Sequence, residues 1–196
     1  MTEKQQERIR LKIKRIKSEL AADKKRWGGF YDDSRGLRYL PLEYYIKLKD
    51  YSGGKRYINW FYKNFPDDDA SPEFLFECSI ILFYSRKLKD AQRKLFETFT
   101  LNIYVIDKFF GTPITPIDQY EGSNLDGIEY VNYFSYSSAD EDLSEFTKWF
   151  TEIYNSDLFQ SAANEFIDLQ RQLKAADEFE KRADLENKKS ALFDRF

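Results

Sequence analysis

The segment from Lys49 to Pro66 has a counterpart from Lys87 to Thr98, whose matching positions lie 37 residues later. Each copy has a polar turn and an apolar anchor, Tyr51 and then Leu88. A small residue follows three positions on, Gly54 and then Ala91. Ile58 and Leu95 come four later, and Phe61 and Thr98 seven later. Those intervals put the small and bulky positions on one face of a helix. A period of 34 to 40 residues built this way marks stacked helical hairpins. The repeat therefore predicts an all-α chain.

Hydrophobic residues make up 42% of the chain and charged residues 33%, which fits one soluble globular domain. Aromatic residues reach 18%, so the core is expected to rest on Phe and Tyr where most chains use Leu and Val. There is no His, which removes the commonest general base and metal ligand. The single Cys78 excludes an internal disulfide and a cysteine zinc cluster. Its apolar neighbours, Phe74 to Phe83, predict a buried, protonated, inert thiol suited to a reducing compartment. No stretch is long and apolar enough for a membrane span. Residues 1–26 are too charged for a signal-peptide core, so a cytoplasmic location is expected.

Charge is unevenly spread although the net value is only −3. Residues 1–26 hold ten Lys or Arg against four Asp or Glu. From Phe109 through Thr147 there is no basic residue. That stretch carries Asp118, Glu121, Asp126, Glu129, Asp140, Glu141, Asp142 and Glu145. Such segregation suits recruitment of a basic partner.

Along the chain, residues 3–26 read as a basic leading helix with an apolar stripe of Ile9, Leu11, Ile13, Ile16 and Leu20. Arg8, Lys12 and Arg15 share another face. Glycines between Trp27 and Gly36 break it. Residues 41–110 form two hairpins. Pro41 opens the first helix, 53–65 is its return, and Ser71 with Pro72 opens the next. That third helix is apolar nearly all round to Tyr84 and must be covered on most sides. A helix over 88–110 follows. Residues 111–137 read as an acidic inserted loop with one turn of helix. Ser138 to Glu141 has capping-box spacing, predicting a helix from there to Tyr154. Residues 138–174 make a third hairpin, and 175–196 a helical tail that frays at its end.

These positions resemble the tetratricopeptide-repeat (TPR) family, whose second helix has a small residue, then bulky and small ones four and seven on, then Pro twelve on. Gly54, Ile58 and Pro66 match in the first unit, with Phe61 larger than the pattern at its second small position. Leu88, Ala91, Leu95 and Thr98 match in the second, with Leu75, Cys78, Ser79 and Leu82 on its first helix. Ile103 replaces the Pro there, so that helix is expected to run on. Trp149, Ile153, Phe159, Ala162, Phe166 and Leu169 form a degenerate third unit. The arrangement also resembles bacterial TPR-like proteins. The resemblance implies a concave groove lined by the first helix of each unit. Unit one would contribute Glu43, Ile46 and Lys47, and unit two Glu73, Phe76, Ile80, Phe83 and Tyr84. Unit three would contribute Ser144, Thr147, Thr151 and Tyr154. Because the unit-two set is mostly apolar, the groove is expected to be filled by the chain itself, from its first helix or its insert.

Catalytic and cofactor patterns are weak. Asp67, Asp68 and Asp69 lack the alternating oxygens and glycine of a calcium loop. Gly53, Gly54 and Lys55 lack the spacing of a phosphate loop. No catalytic residue, metal or cofactor is expected. Glu3, Glu7, Glu19 and Asp23 interrupt the basic helix, which argues against nucleic acid. The leading expectation is a non-enzymatic protein-binding module meeting a basic partner through 109–147. The alternatives are an inhibitory, immunity-type protein that neutralises a toxin, and an enzyme using Tyr and carboxylates.

Overall fold

The computed structural model describes residues 1–31 and 33–196. All the regular structure among them is helical, with no strand. Helix α1 (Glu3–Arg26) is capped by Thr2, whose hydroxyl accepts the Gln5 N–H while the Gln5 side chain accepts the Thr2 N–H. Lys24, Lys25 and Arg26 sit in its last turn, where cations oppose the helix dipole. Ile13, Ile16 and Leu20 are buried, whereas Leu11 is 55% exposed and lies off the apolar stripe. The buried stripe packs on α2 (Pro41–Leu48).

The first hairpin pairs α2 with α3 (Tyr51–Asn64). Asp50 caps α3 by accepting the Gly53 N–H at 2.8 Å. At Gly54 an added Cβ would lie 2.7 Å from Ile81 Cδ1, so the small position of the repeat marks where α3 meets α4 (Pro72–Tyr84). The equivalent Ala91, on α5 (Leu88–Leu101), is fully buried. Helices α4 and α5 form the second hairpin, and α2 and α3 both stack on α4. Pro at the helix start and the Ser71 cap on the Phe74 N–H are as the sequence predicts. Every side chain from Phe74 to Phe83 is buried, because α2, α3, α5 and α7 (Ser144–Tyr154) surround α4.

Three boundaries differ from expectation. The helix expected over 88–110 stops at Leu101, and Asn102 takes an extended conformation. Its side-chain amide donates to the carbonyls of Leu125 and Gly127 at 2.6 and 3.0 Å, and its carbonyl oxygen accepts the Tyr104 N–H. Those bonds hold the insert and start the short α6 (Val105–Phe110). The capping box at Ser138 is not formed. The Ser138 N–H donates to the Phe109 carbonyl at 2.7 Å, and α7 begins only at Ser144 after a 3-10 turn over Glu141–Leu143. The tail is packed against the core to its end. Helix α8 (Asp157–Ala175) turns into α9 (Phe179–Leu192), and the buried Phe196 ring stacks 4.3 Å from Phe96.

Candidate functional site at an acidic cleft

The apolar wall implied on α4 is occupied. Phe76 and Ile80 are fully buried and Phe83 is 8% exposed, so none of the three lines an open groove. The Phe76 ring lies 5.1 and 5.5 Å from those of Phe134 and Tyr136 in the insert. It lies 5.0, 5.6 and 6.0 Å from Phe109, Phe146 and Phe150. Phe83 packs on Phe146 and Trp149. The filling material is the insert with α6 and α7, while α1 packs on α2. Tyr84 stacks on Tyr51 at 4.3 Å, and its hydroxyl donates to the Asp142 carbonyl. On α7, Thr147 is half-buried and Thr151 is exposed, with its hydroxyl turned back onto the Thr147 carbonyl. Tyr154 packs against Phe110 and Phe159.

What remains open is a cleft of about 450 Å³ between α2 and the end of the insert. Glu43, Ile46 and Lys47 form one bank, and Ser135, Tyr136 and Asp140 to Leu143 form the other. Two residue sets that are far apart in sequence therefore meet here. Lys47 pairs with Glu43 one helical turn away. Lys49 pairs with Asp142 at 2.6 Å; that hydrogen bond and charge hold the Asp142 carboxyl below the usual carboxylate range. Asp140 accepts the Ser137 N–H, which shapes the turn. Asp140 and Glu141 are exposed and make no ion pair among the described residues. Glu145 is exposed as well, and sits near the Tyr51–Tyr84 stack. Burial first, then Tyr84, Asp142 and Glu145, push the Tyr51 hydroxyl up to about 12.

The other acidic residues lie outside this cleft. Asp118 pairs with Lys174 of α8. Asp126 accepts the N–H groups of Gly122 and Ser123 at 2.7 and 3.1 Å and so ties its own turn. Glu121 and Glu129 are exposed. Of the acidic triplet, Asp68 is committed to Arg38 at 2.7 Å and to the Tyr39 hydroxyl at 2.6 Å.

Behind the cleft lies a polar latch that the sequence reading did not single out. Glu73 accepts the N–H and hydroxyl of Ser135 at 3.1 and 2.7 Å. The Tyr136 hydroxyl donates to Glu77 at 2.7 Å. Burial pushes the Glu77 carboxyl well above the usual carboxylate range, opposed by the Tyr136 hydrogen bond and by Lys47, and reinforced by Glu73 and Glu43. A single carboxylate inside the apolar run from Phe74 to Phe83 was the available signal, since a buried acid needs a partner. Cys78 beside it is fully buried, and burial pushes its thiol up, leaving it protonated.

Glu77 gives a pH dependence of known sign. The folded state holds its proton above the pH at which the unfolded chain, near 4.3, has lost it. Stability should therefore fall as pH rises through that window, by up to about 1.4 kcal/mol per pH unit. Urea unfolding across this range should show Glu77→Gln lacking this component of the slope. An identical pH profile in both proteins would refute the assignment.

No protein-family model, curated protein or solved structure matches this chain.

Proposed function

We propose that the chain is a non-enzymatic, TPR-like protein-binding module that recruits a basic partner at the acidic cleft. The observation that carries this reading is the convergence of Glu43, Asp140, Glu141 and Asp142 around open space, while the apolar wall of α4 is already covered. Lys47 and Lys49 each engage one carboxylate, which leaves an excess of negative charge on the rim. Complementary charge of this kind speeds encounter and selects partners. A small inhibitor of a basic toxin would use the same chemistry. A lone buried thiol suits a reducing, cytoplasmic setting. Among the described residues no helix is long and apolar enough to cross a membrane.

The test is capture of partners by the wild type and by an Asp140→Asn, Glu141→Gln, Glu145→Gln variant. Salt should be set at about 0.1 M and 1 M, where exposed charges act over ~10 Å and ~3 Å. A basic partner should be bound by the wild type at low salt. The variant should bind it at least about tenfold more weakly, and high salt should release it. Equal capture by both proteins at both salts would refute the proposal.

A further inference from the structure

A second open feature runs along the other side of the molecule, where α1 lies beside α2 and α3. Three clefts adjoin there. The first, about 430 Å³, has Arg10, Lys14 and Lys17 on its α1 side and Tyr45 and Asp50 opposite. The second, about 660 Å³, shares Lys17 and Ala21 with the first and adds Lys24, Lys25, Tyr31 and Trp60. The third, about 630 Å³, shares Lys24, Tyr31 and Asn64 and continues to the exposed Phe30 and Lys63. From Arg10 to Lys25 the seam is roughly 22 Å long at the rise of an α-helix.

The cations and aromatic rings are held in place together. Lys24 Nζ donates to Asn64 Oδ1 at 2.9 Å and lies 5.0 Å from the centre of the Tyr31 ring. The Tyr31 hydroxyl donates to the same oxygen at 3.1 Å, and Asn64 donates to the Trp60 carbonyl. Tyr31 meets Trp60 edge to face at 6.1 Å. Phe30 is 77% exposed and Trp27 is 48% exposed at the same end.

Helical periodicity separates this face from the stripe of Arg8, Lys12 and Arg15, on which Glu19 also falls, bonded to Arg15 at 2.8 Å. The cleft stripe runs through positions 10, 14, 17, 21, 24 and 25. Glu19 falls on the opposite face at 100° per residue, Glu3 and Glu7 precede Arg10, and the charge of Asp23 reaches Tyr31. Among the described lining residues, carboxylates lie at the two ends, Asp50 at one and Asp67 to Asp69 at the other. The middle cleft has no carboxylate among its described lining residues. It faces the carbonyl end of α1, whose partial negative charge three lysines exceed.

A row of cations beside aromatic rings suits a phosphate backbone with bases that stack. An acidic peptide would use the cations and leave the exposed rings idle. We infer that this seam binds single-stranded nucleic acid, with phosphates on Lys17, Lys24 and Lys25 and bases against the exposed Phe30, beside the partly buried Tyr31 and Trp60.

The test uses fluorescence anisotropy of a short labelled oligothymidine with the full chain. Lys17→Gln with Lys25→Gln changes two exposed side chains and should weaken binding at least about tenfold. Phe30→Ala should weaken it at least about fivefold. Lys4→Gln with Arg8→Gln removes the same charge from the same helix outside the seam and should stay within about twofold. Raising salt from about 50 to 200 mM should cost about 20-fold for three phosphate contacts. Thermal melts of each variant should match the wild type. No anisotropy change at the highest soluble protein concentration would overturn the inference. Equal weakening by the Lys4 and Arg8 pair would also overturn it. So would competition by polyglutamate or by thymidine monophosphate as strong as that by the strand.

Discussion

Phe76→Ala is expected to destabilise the fold by about 3–5 kcal/mol, the range for emptying a fully buried Phe site. The ring is 0% exposed and contacts five other aromatic side chains from α6, the insert and α7. Those neighbours come from three separate segments, so they cannot collapse together into the space left behind. Urea unfolding should show a lower midpoint with little change in slope. Because Phe134 and Tyr136 lose their main contact, the insert should loosen and apolar dye binding should rise. A loss below about 1 kcal/mol would mean that Phe76 sits in a groove already open to water.

Asn102→Ala is expected to cost about 2–4 kcal/mol. The substitution removes three hydrogen bonds and leaves the Tyr104 N–H and the Leu125 carbonyl without a partner, while the Gly127 carbonyl keeps the Tyr130 N–H. Each buried polar group left unsatisfied costs about 1–3 kcal/mol, and water entering the loosened insert recovers part of the total. Asn102→Asp should cost a comparable amount, since a carboxylate cannot donate to the carbonyls of Leu125 and Gly127. Amide exchange should accelerate across residues 125–127 more than in α4. Uniform acceleration throughout the chain would contradict a local clasp.

The hairpins were legible because their signals are local. Gly54 and Ala91 repeat at the position where one helix must approach another, and Pro41, Ser71 and Pro72 mark starts within a turn or two of their effect. The end of α5 was not legible, because Asn102 breaks the helix for carbonyls 23 and 25 residues away. The Ser138 spacing matched a capping box, yet its N–H is taken by Phe109 from α6. Tail docking depends on Phe96 and Phe159, which lie on α5 and α8. The candidate site was half legible. Both of its residue sets were visible as charged or groove positions, but Lys49 and Asp142 are 93 residues apart and only the fold joins them. Conversely, Asp118 and Asp126 carry the same charge as Asp140 and serve pairing and turn geometry instead.

The chain covers its own apolar groove, and we propose the acidic cleft that stays open as the face for a partner. The most direct measurement is a nuclear Overhauser spectrum of the full chain with selectively labelled aromatic residues. The account predicts cross-peaks from the Phe76 ring to the rings of Phe134 and Tyr136, whose centres lie 5.1 and 5.5 Å away. Absence of both, with Phe134 and Tyr136 at the chemical shifts of an unstructured peptide, would contradict it.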